Sequence, residues 1–156
     1  MHRDELDAAV GVWRDANAAR GAPHGPERTA RVHAKLTAPD ALPFVALRSG
    51  VVVGMALAEP GRFDGGTGEL DPSLLHVSMV FVHPAAQRTG VGRALLLHVI
   101  DVARAMSCHR VDVWTAEANS AARKLYESVG MALTGQSEPG RYRLHLQYLM
   151  RIEGGP

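Results

Sequence analysis

One cysteine, Cys108, occurs in 156 residues. That excludes an internal disulfide framework and every C-x-x-C metal or redox motif, and leaves Cys108 to be read as a packed, reduced thiol. Neither sign of charge is in excess: 17 Lys and Arg against 16 Asp and Glu give a net charge of +1, so no overall field favours nucleic acid or an anionic membrane. Aromatic residues make up 5% of the chain, too few for base-stacking platforms. The longest apolar runs, VVVGMALA (51–58) and ALLLHVIDVA (94–103), fall well short of the ~20 residues of a membrane-spanning helix. The opening MHRDELDAAV carries acidic residues and no apolar signal core, which makes the cytoplasm the expected address. Eight histidines are present, but none stands in H-E-x-x-H or in a Cys/His cluster of ligand spacing, so no metal site is expected.

What is there reads as one globular domain, residues 1–156, with 46% hydrophobic and 21% charged residues. Leu6, Ala9, Val10, Trp13 and Ala16 recur at helical spacing, predicting a helix over 4–19 with Asp4 as its N-cap. A second, short helix is predicted over 27–36. LPFVALR (42–48) and VVVGMALAE (51–59) are strand-like runs joined by Ser49-Gly50, a pair suited to a tight hairpin. Residues 60–73, with four glycines and two prolines, predict a mobile loop. A strand at 75–82, a helix at 90–106 with Val91, Leu95, His98, Val99, Val102 and Met106 on one face, and a strand at 110–115 predict a parallel pair with a helical crossover. A helix at 120–129 stopped by Gly130 follows, and strands at 132–136 and 142–152 close the sheet as a hairpin through EPG (138–140).

The strand-to-helix junction QRTGVGR, 87–93, is where chemistry is legible. Glycine lets backbone approach a ligand closely, and the N–H groups of a helix's first turn attract anions. A dinucleotide fingerprint fails because Leu95 stands where its third glycine belongs, and no P-loop run exists. What remains is a loop with Arg88 and Arg93 flanking Gly90 and Gly92, and Thr89 as a further hydroxyl donor, an arrangement suited to a pyrophosphate. A glycine pair used only for a tight turn is the plainer alternative.

QRTGVG (87–92), preceded by MVFVHP and followed by a helix, resembles the Q/R-x-x-G-x-G/A motif of the GNAT acyl-CoA N-acyltransferases. WTAEANSAARKLYESVGM (114–131) resembles the family's second signature, a strand leading to an Asn, a short helix with a Tyr, and a Gly. Together the two cover about residues 75–135. The resemblance implies a mixed α/β fold, with a mostly antiparallel central sheet, a splayed parallel pair formed by the family's fourth and fifth strands, and helices on both faces. Relatives begin with a strand, yet only MHR precedes Asp4; the first strand is missing here or lies upstream. A missing strand leaves a sheet edge either exposed or covered by a second subunit, as in a homodimer.

The resemblance further implies acetyl-CoA as co-substrate, no metal, and direct transfer of the acetyl group to an amine, on a small molecule or a peptide, without a covalent enzyme intermediate. The backbone N–H groups of Arg88, Thr89, Gly90, Val91, Gly92 and Arg93, with Gln87 opening the loop, would bind the pyrophosphate. The backbone of Val80, Phe81 and Val82 would pair with pantetheine, and Asn119 would stand near the cofactor, although an N-cap for the next helix is an equal reading. Tyr126, which alone would read as a packing residue, matches the Tyr that meets the CoA sulfur. A phenol of pKa about 10 can serve a thiolate leaving group of pKa about 8.5 as general acid.

The base is less clearly marked. Some relatives carry a Glu five positions before the Asn, where this chain has Trp114. His76, opening the strand where other relatives place an acidic residue, is the candidate, with Glu117 behind it and deprotonation through water as a further route; a structurally bonded histidine is the competing reading of His76. A non-catalytic acyl-CoA-binding module is the alternative function. The acceptor pocket is expected among the N-terminal helices, the 60–73 loop and the C-terminal hairpin.

Overall fold

The computed structural model describes residues 1–139 and 144–153. The elements run α1 (Arg3–Ala19), α2 (Pro26–Leu36), β1 (Leu42–Arg48), β2 (Val51–Arg62), β3 (Leu70–Val82), α3 (Val91–Ala105), β4 (Arg110–Ala116), α4 (Ser120–Ser128), β5 (Ala132–Pro139) and β6 (Leu144–Arg151). The strands form one mixed sheet in the order β1-β2-β3-β4-β6-β5. β1 with β2, β4 with β6, and β5 with β6 pair antiparallel, while β3 and β4 pair parallel from Leu74 opposite Arg110 to Val77 opposite Val113. β3 itself runs on to Val82 and β4 to Ala116. The first element is a helix, and the parallel pair is joined through α3, as the sequence predicts. No described helix is long and apolar enough to cross a membrane.

Two compact units make up the chain. In the first, Met1–Ala58 with Met79–Leu96, the apolar stripe of α1 (Ala9, Val10, Val12, Trp13) and Val32 and Leu36 of α2 are buried with Met55 and Leu57 of β2. Each large side chain so buried contributes roughly 1.5–3 kcal/mol. The β1–β2 turn has Ser49 and Gly50 at φ 50° and 77°, the double left-handed geometry of a hairpin that follows strand twist. Asp4 is not the cap of α1. His2 is, and its N–H donates to the Glu5 carboxylate at 3.0 Å, because Glu at the third helical position can reach back to the cap.

In the second unit, Glu59–Ser78 with Leu97–Pro156, the core includes Leu75, Val77, Val99, Val111, Val113 and Tyr148. The predicted 60–73 loop shrinks, since β2 continues to Arg62 and β3 starts at Leu70. The loop-like LDPS is held as strand by charge: Asp71, 3% exposed, accepts from the N–H and hydroxyl of Ser73 and pairs with Arg110 of β4. Burial pushes the Asp71 carboxyl upward, but the Ser73 bonds and the Arg110 guanidinium outweigh it and hold the group below its ordinary value. Cys108 is buried between α3 and β4, where burial and the Asp71 charge push its thiol up. The inward side of α3 also differs from expectation: Leu96, Ile100 and Ala103 are buried, while His98 and Met106 are exposed, because a 3.6-residue period drifts from a strict i, i+4 row. Of the predicted closing hairpin, the β5–β6 pairing is as expected, while Gly140 of the EPG turn and the strand start at Tyr142 lie outside the described residues.

Candidate active site

The first unit holds the turn and the strand that leads to it. Val80, Phe81 and Val82 end β3 half-buried, with the Phe81 ring packed on the apolar core. The His83 N–H then donates to the Val53 carbonyl at 2.8 Å, and a 3-10 turn at Pro84–Ala86 leads to exposed Gln87, Arg88 and Thr89. Arg88 and Gly90 both have positive φ, 61° and 88°. A Cβ on Gly90 would meet nothing of the protein within 4 Å, so the protein's own demand for glycine there is conformational. The first bond into α3 is Ala94 N–H to the Gly90 carbonyl at 3.0 Å. The amides of Val91, Gly92 and Arg93 therefore precede the helical ladder, and the positive end of the helix dipole lies among them.

Thr89 departs from its predicted use. Its hydroxyl donates to the Ala86 carbonyl and accepts from Arg48 Nη2 at 3.0 Å, so its proton closes the turn instead of facing an anion. Gln87 Nε2 donates to the Val82 carbonyl at 3.4 Å. A residue the sequence reading passed over stands behind the turn: a Cβ on Gly54 of β2 would lie 2.7 Å from Val91 Cγ1 and 3.0 Å from Leu95 Cδ1. Glycine there lets the start of α3 sit close on the strand, and a lone glycine inside an apolar strand was the available signal.

The second unit holds His76, Asn119 and Tyr126. Asn119 caps α4, accepting from the Ala122 N–H at 3.2 Å. Tyr126, on the same helix, is 6% exposed, its ring centroid 5.8 Å from that of Tyr148 at 53°. Tyr148, fully buried, donates its hydroxyl proton to Glu127 and accepts from Arg123 Nε at 3.0 Å, which ties α4 to β6 on either side of the tyrosine pair. Glu117 is exposed. His76 meets a partner absent from the sequence reading: its Nδ1 lies 2.9 Å from Asp112 Oδ1, the two standing opposite each other in the parallel register. Two residues along β3, Ser78 Oγ is buried with no hydrogen-bond partner among the described residues. An orphaned buried hydroxyl on the strand that ends at the turn is what a bound polar chain would satisfy. Among the described residues no group of His, Cys, Asp and Glu is placed to hold a metal ion.

The family model described as "Acetyltransferase (GNAT) family" matches residues 9–131. The chain belongs to the GNAT acetyltransferase family. Among GNAT relatives, the L-methionine sulfoximine/L-methionine sulfone acetyltransferase of Salmonella typhimurium is 37% identical over 94 residues, 60% of this chain and 52% of that enzyme. The chain thus matches about half the length of that relative. The GNAT fold is shared with ribosomal-protein-S18-alanine N-acetyltransferase from Escherichia coli, at a TM-score of 0.77 and 21% identity over all of this chain and 93% of that one. It is shared too with YncA from Salmonella typhimurium, solved with its cofactor acetyl-CoA, at a TM-score of 0.73 and 24% identity over all of this chain and 93% of that one.

Proposed function

We propose that residues 1–156 act as one cytoplasmic N-acetyltransferase domain that moves an acetyl group from acetyl-CoA to a primary amine by direct attack in a ternary complex. The observation that carries the reading is the opening of α3, where the amides of Val91, Gly92 and Arg93 stand ahead of the first helical bond, next to a left-handed Gly90. With the backbone N–H groups of Arg88, Thr89 and Gly90 and with Gln87, they would hold a pyrophosphate. The backbone of Val80, Phe81 and Val82, beyond the four-pair β3–β4 ladder, and the orphaned Ser78 hydroxyl would take the amide-bearing pantetheine arm, with Asn119 near the cofactor.

When bound, acetyl-CoA supplies a thioester carbon open to nucleophiles and a thiolate leaving group. Tyr126 delivers its phenolic proton to the departing sulfur, and His76 removes the proton that the amine sheds as its bond to carbon forms. The base matters because a primary amine of pKa near 10.4 costs about 5 kcal/mol to present neutral at pH 7. An acceptor of amino-acid or peptide type is supported by two similar proteins, an acetyltransferase for L-methionine sulfoximine and sulfone at 37% identity and a ribosomal-protein-S18-alanine N-acetyltransferase of the same fold. The test is thiol release from acetyl-CoA across a panel of amines, run beside calorimetric titration with acetyl-CoA. Amine-dependent release is expected. Tight binding with no release on any amine would overturn the transferase in favour of an acyl-CoA-binding module.

A further inference from the structure

β5 is irregular where it faces Gln147. Leu133 pairs with Tyr148 and Ser137 with Leu146, so three residues of β5 oppose one of β6. Gly135 sits inside this bulge at φ 84°, and the distortion lets the Gln136 N–H donate to Thr134 Oγ1 at 3.1 Å. A bulge that re-aims polar groups in this way joins β5 to the bonds that run through Gln147.

A backbone N–H can only donate. The Thr134 hydroxyl, which accepts from Gln136, gives its proton to Gln147 Oε1 at 2.9 Å. The direction is set at the other end, where the Asp112 carboxylate can only accept: Gln147 turns its nitrogen there, Nε2 donating to Oδ2 at 2.9 Å, and leaves Oε1 for the Thr134 proton. A carboxylate accepts and has no proton to return, so the second oxygen, Oδ1, accepts from His76 Nδ1 at 2.9 Å. The neutral imidazole then carries its proton on Nδ1, and the lone pair lies on Nε2. The Asp112 side chain is 6% exposed and that of His76 29%, so the chain is closed at the carboxylate and open at the ring.

We propose that Asp112 is a positioning residue, oriented by Gln147 and the Thr134–Gln136 bulge, that fixes the tautomer of His76 so that Nε2 is its basic nitrogen. The catalytic consequence rests on His76 being the base; the tautomer does not. In an Asp112→Asn variant a flip of the Gln147 amide would take the acceptor from the Thr134 hydroxyl, so Nε2 still faces position 112, and the new side chain turns its oxygen to Gln147 and its NH2 to His76. Nδ1 must then accept, and the ring proton moves to Nε2.

The experiment is two-bond 1H–15N correlation on protein labelled with 15N-histidine, beside steady-state kinetics. Wild type is expected to carry the proton on Nδ1 of His76, and Asp112→Asn to invert it, with kcat down by ~10²-fold and the KM for acetyl-CoA unchanged. Gln147→Leu, which frees the carboxylate to turn, is expected to give a mixture of tautomers and a smaller loss of kcat. A wild-type ring protonated on Nε2, or the same tautomer in wild type and Asp112→Asn, would overturn the proposal, and the wild-type spectrum decides this even where Asp112→Asn fails to fold. Unchanged turnover in His76→Gln, with the Nδ1 proton present, would remove the base and leave the tautomer assignment standing.

Discussion

At the start of α3 the groups offered to a ligand are the main-chain amides of Val91, Gly92 and Arg93; at His76 the offered group is one ring nitrogen, aimed through Asp112, Gln147 and Thr134. The first arrangement depends on backbone conformation over a few consecutive residues. The second depends on side chains from β3, β4, β6 and β5, drawn from 134–147 as well as from 76 and 112. A local device can tolerate changes in most of its side chains but not in its dihedrals. A distributed one tolerates backbone variation between its members and fails when a single donor or acceptor is replaced.

The largest effect that would sharpen this contrast is expected at Tyr126, a side-chain device like His76. Tyr126→Phe keeps the ring packing against Tyr148 and removes the proton donor, so kcat should fall by ~10²-fold with acetyl-CoA affinity kept. Equal turnover in the two proteins would strike the residue from the mechanism. Next come the glycines of the turn. Gly90→Val forces a β-branched residue to φ 88°, a strain of roughly 1–3 kcal/mol, and acetyl-CoA should bind about tenfold more weakly by calorimetry. Gly92→Val, in helical backbone, should weaken binding through its Cβ alone, and an unaltered dissociation constant would remove the phosphate from the turn. The smallest effect is expected from the exposed guanidiniums: Arg88→Ala and Arg93→Ala should each cost about 0.2–1 kcal/mol of acetyl-CoA affinity at low salt and less at high salt. A larger loss from either arginine than from Gly90→Val would break the comparison, since side chains would then carry the turn.

The same contrast explains what could be read in advance. The turn is contiguous, so its glycines, its flanking arginines and the strand and helix around it were visible in QRTGVGR, and Asn119 was correctly weighed as a cap. The Thr89 hydroxyl was misassigned because its acceptor, the Ala86 carbonyl, is freed by a turn geometry that residue types do not encode. Asp112 announced itself only as a charge inside an apolar strand, and its partner stands 36 positions earlier. Residues 70–73 looked like loop because Asp and Pro favour turns, a local preference that the Arg110 ion pair overrides.

Periodicity, turn chemistry and two signature stretches thus determined the order of elements, the family and the residues of the turn proposed to hold a pyrophosphate, all of them properties of neighbours along the chain. Tertiary structure decided which nitrogen of His76 is free. That choice depends on the Asp112 carboxylate, which can only accept, and on partners drawn from three further strands, and these meet only once sheet register has brought them within about 3 Å of one another.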